Sequence, residues 1–317
     1  MDRKRTPRTL IACRDFYVED CMARGQSPST GNSKRLLLDM FIRWCLPQGI
    51  RRLSHLDLDV LEDYREYLYL YRKAVDDEPL NLSTQRMRLM AITGMLKRLY
   101  NLGKLKSDFY KGFDLPHVKR QRLLDIPSED DMELIFAQCM TRGQIGVRDR
   151  AILELCYASG IRRAELANLD LLDIDYRERQ IKVRKGKGGM SRMVPVSQRA
   201  LDAVSVYLRE VRPEMADLES GEALFLGMTG KRIQKSALSE LAALYIRRSG
   251  VSAKGACHIL RHASASHMMR NGAGIRYIQD YLGHEHILST QIYAHVVQED
   301  LKRVYQATHP SALNRGP

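Results

Sequence analysis

Residues 112–127, GFDLPHVKRQRLLDIP, hold two prolines and no helical period, and they cut the chain into two parts that must each find a core. Proline lacks a backbone donor and disfavours helical geometry in the residue before it, so a helix ends at or before Pro116 and Pro127. At 317 residues the chain also exceeds the size at which a single core keeps growing. Both constraints give the same expectation: a helical domain over residues 1–111, a linker over 112–127 and a second domain over 128–317.

On the N-terminal side of this break the text reads as helices separated by short polar interruptions. A cap signal at Ser29 and Thr30 starts one helix towards Trp44, which stops at Pro47 and Gly49. A second follows Asp57 to Tyr71, and a third begins after Asn81. In the third, Ile92, Met95, Leu96, Leu99 and Tyr100 fall on one apolar stripe, which is packing and carries no chemistry. Arg86, Arg88, Lys97 and Arg98 on the same run are candidates for phosphate contact or for ordinary solvated charge. The basic cluster Lys119, Arg120 and Arg122 in the linker has the same two readings: a connector along a phosphate backbone, or a charged and therefore soluble linker.

Beyond the linker, Ser128 and Asp131 form a capping signature, and residues 151–158 read as a helix ending at Ser159 and Gly160. The period then changes. LLDID, QIKVR and SRMVPV are short alternating or β-branched runs, separated by the turn-like YRER and the glycine-rich GKGG, which predicts a three-stranded antiparallel meander. A helical pattern returns from Gln198 to Arg212, followed by a short ALFLG strand. Further helices are expected over residues 234–248, 257–270, 275–282, 290–294 and 300–306. The fold class is mainly α with a small antiparallel β-sheet in the second domain.

The formal net charge of +13 sets the partner class, because an excess of this size attracts polyanions. Residues 1–127 hold 24 Lys and Arg against 16 Asp and Glu, and residues 128–317 hold 27 against 22, so both halves are positive. Double-stranded nucleic acid is the first partner to consider; a solubility surface is the plainer reading of the same charge. No run approaches the ~20 apolar residues of a membrane span, and the first residues lack the apolar centre of a signal peptide, so a cytoplasmic protein is expected. Six scattered cysteines without a CxxC pair read as reduced and structural.

Six of the nine histidines lie between His258 and His295, together with Arg261 and Tyr293. In CHILRH, His258 and Arg261 stand three apart, which on a helix puts both on one face. An arginine fork holds two oxygens of an anion and an imidazole moves a proton near neutral pH, a pair suited to a phosphodiester. His284 and His286 also allow a metal reading, with Asp280 and Glu285 the nearby carboxylates, but no spacing supplies four ligands.

SGIRRAEL, the GKGG turn before a strand, HILRH, LGHEH and IYAHV occur in this order, and together they resemble the tyrosine recombinase (phage-integrase) family, most closely its Xer-like branch. The resemblance covers residues 128–311 and extends weakly through the first half. It implies a two-domain recombinase that cleaves and rejoins DNA strands through a 3′-phosphotyrosine, without cofactor, metal or ATP. Position by position it implies Arg162 as the first arginine, with Arg163 adjacent but pointing about 100° away if both sat on a helix. It implies Lys187 as the hairpin lysine with Lys185 as its competitor, and His258, Arg261, His284 and the nucleophile Tyr293. It further implies a recombination site on double-stranded DNA as partner, and a homo-tetramer, or a hetero-tetramer with a related recombinase, linked by residues 300–306. Two other readings stay open: an accessory DNA-binding protein with the same fold and no chemistry, against which intact Arg162, Arg261 and Tyr293 count, and a metal-dependent nuclease using the histidines.

Overall fold

The computed structural model describes residues 7–118, 125–184, 191–253 and 255–283. The chain divides into two compact units, Met1–Gln121 and Arg122–Pro317. In the first unit four helices pack around one core: α1 (Leu10–Ala23), α2 (Pro28–Cys45), α3 (Leu58–Leu70) and α4 (Leu82–Asn101). Each starts on a side chain that takes up an N–H left over in the first turn: Thr9, Ser27, Asp57 and Asn81 accept from Ala12, Thr30, Val60 and Thr84. The α2 cap is thus Ser27, with Pro28 at the first helical position, two residues ahead of the expected start. The α4 stripe is buried as its period requires, with Ile92, Met95, Leu96 and Leu99 against Phe41, Leu61, Tyr64 and Leu68.

The second unit opens with α5 (Glu129–Ala137), whose capping box pairs Ser128 and Asp131 reciprocally, and α6 (Gly143–Ser159), which ends on the left-handed Gly160. The short α7 (Arg163–Ala167) leads into the sheet β1 (Ile174–Asp175), β2 (Gln180–Val183) and β3 (Arg192–Pro195), antiparallel in the order β1-β2-β3. Ile181 faces Val194 and Val183 faces Arg192 across the β2–β3 ladder. Then come α8 (Gln198–Val206), joined through a wider turn at Tyr207–Val211 to α9 (Arg212–Met215), then α10 (Lys235–Arg248), α11 (Cys257–Arg270) and α12 (Ile275–Leu282). The helix α6 is the centre of this unit: Ala151, Ile152, Leu153, Leu155 and Cys156 are buried on all sides, as in a helix surrounded by others. Its buried charges are paired. Arg148 donates to Asp149, which also accepts from the Tyr245 hydroxyl at 2.8 Å, and Arg199 donates to Glu154 at 2.7 Å.

The fold is therefore mainly α with a small three-stranded antiparallel sheet, and three local readings differ from it. Residues 223–227, ALFLG, form no strand: Ala223 and Leu226 make single bridges to Asp170 and Arg232. Ala223, Leu224, Phe225 and Leu226 are all buried, so the apolar run reports burial on every side and not a strand. Helix α6 begins at Gly143, eight residues ahead of the expected 151, and Gly146 within it serves close packing: a Cβ there would stand 1.9 Å from the Cys139 carbonyl oxygen. Arg162 is not on a helix with Arg163; it is the extended N-cap of α7. The helices expected over residues 290–294 and 300–306 lie outside the described residues. All six cysteines are free and buried. Among the described residues no helix is long and apolar enough to cross a membrane.

The buried ion pair at the centre gives a stability test. Asp149→Ala leaves the Arg148 guanidinium buried without its counter-charge and should cost about 3–5 kcal/mol in urea unfolding, whereas Tyr245→Phe should cost about 1–3 kcal/mol. Equal stability of Asp149→Ala and the parent chain would contradict this account of the core.

Candidate active site

Two arginines meet at the ends of three helices. Arg261, on α11, is 8% exposed and runs between two helix C-termini: its Nη1 donates to the Gly160 carbonyl after α6, and its Nη2 to the Leu282 carbonyl of α12 at 2.8 Å. Arg162, just past Gly160, donates from Nη2 to the next carbonyl, that of Gly283, at 2.6 Å. One peptide segment, Leu282 and Gly283, thus accepts from both guanidiniums. Helix C-termini leave carbonyls without partners and carry partial negative charge, so they are natural seats for these cations.

A carboxylate fixes Arg162 from the other side. Glu165 accepts the Arg162 backbone N–H at 2.8 Å and its Nη1 at 3.0 Å, and it accepts Nη1 and Nη2 of Arg192 on β3, each at 3.0 Å. Burial alone would raise the Glu165 carboxyl, but the Arg192 and Arg162 bonds and charges outweigh it and hold the group below its usual range. Gly283 is left-handed, and a Cβ on it would stand 2.9 Å from the Arg192 guanidinium. The sheet, α7 and the end of α12 therefore meet around one acid and two guanidiniums.

The imidazoles differ in environment. His258 is exposed in the first turn of α11, one turn before Arg261, as the i, i+3 spacing requires. His262 stands edge-on to it, ring centres 6.2 Å apart, and burial followed by the charges of His258 and Arg261 pushes its pKa down to about 4. His262 is thus a neutral partner. His267 bridges the Tyr157 hydroxyl and the Pro127 carbonyl in the interior, a structural role. The Tyr281 hydroxyl is bonded to Ser264 and donates to the Ala158 carbonyl, and burial pushes its pKa well up, so it ties α12 to α11 and α6.

Of the residues singled out in the sequence, Arg162, His258 and Arg261 lie in this region. Lys187, Lys185, His284 and Tyr293 lie outside the described residues, as do Lys119, Arg120 and Arg122. His284 follows Gly283 directly in the chain. In the first unit, Arg86 donates to the Pro116 carbonyl and Arg88 lies over the Tyr71 ring. Two residues of the site carry no mark of their own in the sequence: Glu165 stands only within SGIRRAEL, and Arg192 only within the strand run SRMVPV. Their pairing spans 27 residues, and the only sequence trace is a cation in an otherwise apolar strand opposite no local acid. Among the described residues no three His, Cys, Asp or Glu side chains are grouped to hold a metal ion.

Residues 127–300 match the model of the phage integrase family. Tyrosine recombinase XerC 2 of Ralstonia nicotianae is 36% identical over 301 residues, which is 95% of this chain and 86% of that one. Among solved structures, the XerH site-specific recombinase bound to a difH substrate in a pre-cleavage complex superimposes with a TM-score of 0.67 at 18% identity, over 92% of this chain and 83% of that one. A lambda integrase tetramer bound to a Holliday junction superimposes with a TM-score of 0.63 at 18% identity, over 90% and 77%. At these identities the structural likeness shows the fold.

The histidine environments can be checked in solution. The His262 ring should titrate near pH 4 by proton NMR. Because this folded value lies below the 6.5 of a free imidazole, the associated stability is present above pH 6.5 and is lost as the pH falls towards 4. A His262 midpoint at 6 or above would contradict the burial and charge that surround it.

Proposed function

The chain belongs to the phage integrase family of tyrosine recombinases, and we propose that it is a site-specific DNA recombinase acting on one phosphodiester held by Arg162 and Arg261, with Tyr293 as nucleophile. The observation that carries this reading is the meeting of those two arginines on the peptide of Leu282 and Gly283, immediately before His284. In the proposed reaction the Tyr293 hydroxyl attacks phosphorus in line, forming a 3′-phosphotyrosine and releasing a 5′-hydroxyl. Attack by a 5′-hydroxyl from the partner strand reverses the step and frees the tyrosine. The phosphodiester energy is retained, so no ATP or other cofactor enters.

Charge on the non-bridging oxygens grows in the transition state, and two guanidiniums already held in place meet it without reorganisation. They would supply what a metal ion supplies in other phosphoryl transfers, so none is required. His258, exposed one turn before Arg261, would take the phenol proton; Lys187, with Lys185 as the alternative, would protonate the departing 5′ oxygen; His284 would hydrogen-bond the phosphate.

In this reading residues 1–111 would be a core DNA-binding domain, residues 112–127 a linker and residues 128–317 the catalytic domain. Arg86 and Arg88, whose guanidiniums have five donors each, and Lys119, Arg120 and Arg122 would contact phosphates of the recombination site. Four protomers, identical or mixed with a related recombinase, would assemble on two sites, with residues 300–306 passed to a neighbour; the lambda integrase tetramer on a Holliday junction supports this stoichiometry. The place of action would be the cytoplasm.

A duplex nicked near the cleavage point, carrying the site recovered by sequencing bound genomic DNA, tests the phosphate assignment. The parent chain should form a covalent adduct that is insensitive to chelators. Arg261→Ala and Arg261→Lys should still bind the duplex but form adduct roughly 100- to 1000-fold more slowly. Cleavage by Arg261→Ala at the parent rate would remove this residue from the site. Duplex affinity should also fall linearly with salt on logarithmic axes, and a flat response would contradict phosphate contacts by the basic surface.

A further inference from the structure

We infer that Arg192 is a positioning residue for catalysis: as the counter-ion of Glu165, it keeps that carboxylate from neutralising Arg162. The inference rests on the reading above, in which Arg162 holds the scissile phosphate. It goes beyond that reading because Arg192 itself touches no substrate in it.

A carboxylate has about four acceptor positions. In Glu165 four donors occupy them: the Arg162 backbone N–H, Arg162 Nη1, and Arg192 Nη1 and Nη2. Exposure rises in order along the group, with side-chain values of 7% for Glu165, 20% for Arg192 and 32% for Arg162. The acid is innermost and Arg162 is the member that reaches solvent. Two guanidiniums and one carboxylate leave one net positive charge, and it sits at the accessible end. Without Arg192, Glu165 and Arg162 form a neutral pair. The two vacated acceptor positions would then draw Arg162 inward into a two-pronged bond with the acid, away from an incoming anion.

A second contact fixes the geometry. The Arg192 guanidinium packs against Gly283, whose carbonyl is the other acceptor of Arg162, so one side chain braces both groups that hold Arg162. The Arg192 Nε is buried there with no hydrogen-bond partner among the described residues, so its place is set by the paired Nη groups and by β3. Arg192 faces Val183 in the β2–β3 ladder, so the sheet fixes its backbone.

The test compares rates of adduct formation by the full-length chain, at saturating protein, on nicked duplexes with either an ordinary phosphodiester or a methylphosphonate at the scissile position. The methylphosphonate lacks the negative charge that Arg162 would neutralise. Arg192→Gln keeps a donor and most of the side-chain length but removes the charge. On the diester it should bind DNA normally and react about 100-fold more slowly, the scale of a misplaced catalytic group. On the methylphosphonate its deficit should shrink at least tenfold, as should that of Arg162→Ala; Arg192→Lys should recover part of the diester rate. In a Glu165→Gln background, where no acid remains to be countered, adding Arg192→Gln should change the rate less than about threefold. Several outcomes overturn the inference: parent-level cleavage by Arg192→Gln, an equal deficit on both substrates, or full additivity with Glu165→Gln. Relief for Arg162→Ala without relief for Arg192→Gln sinks this inference alone. Absence of relief for Arg162→Ala sinks the assignment of Arg162 and the inference with it. If Arg192→Gln fails to fold, Arg192→Lys and the Glu165→Gln pair carry the same comparison.

Discussion

The Arg261 guanidinium, buried between the C-termini of α6 and α12, is the interaction around which the site is arranged. A cation so enclosed is costly unless its donors are met, and helix C-termini supply both unpaired carbonyls and negative partial charge. Hydrogen bonds of a charged donor are worth roughly 1.5–3 kcal/mol each, enough to hold the ends of two helices to a third. The carbonyls of Gly160 and Leu282 are therefore fixed relative to α11, and Arg162, two residues beyond Gly160, is carried to the carbonyl of Gly283.

From that junction the remaining features follow. Tyr281 fills the space beside Gly160 with a ring that a Cβ there would meet at 2.6 Å, and its hydroxyl closes α12 onto Ser264 and Ala158. His262, enclosed next to Arg261, has its pKa pushed down to about 4 and stays uncharged near neutral pH, so the positive charge is concentrated on the two arginines. Glu165 is held ionised by two guanidiniums and restrains Arg162 at backbone and side chain together. These groups stand on helix ends and on a paired strand, which suits a site that must meet developing charge without rearranging.

What was legible in the sequence was local. The α4 stripe, the Ser128 and Asp131 box, the β2–β3 hairpin and the shared face of His258 and Arg261 each depend on residues a few positions apart, and each is present. What the sequence hid was set by packing between distant segments. ALFLG reads as a strand until its residues are seen to be buried with only single bridges to Asp170 and Arg232, and the first two turns of α6 are missed until Gly146 is seen against the Cys139 carbonyl. Residue type alone does not tell Arg162 from Arg163, and only the family resemblance favours Arg162 in the sequence. The structure separates them by placing one at an extended N-cap facing Gly283 and the other against Ser239. The pair Glu165 and Arg192 had no local signature, since only the turn of the chain through β1 and β2 brings β3 back to α7.

The central claim is that the phosphate held by these arginines is attacked by Tyr293. Proteolysis of the trapped protein–DNA adduct, followed by mass spectrometry of the peptide that retains the nucleotide, reads the attachment point directly. The account predicts a single 3′-linked nucleotide on Tyr293 and no adduct from Tyr293→Phe. Attachment to another residue, such as Tyr277, 75% exposed on α12, or a linkage that forms only with a divalent metal, would contradict it.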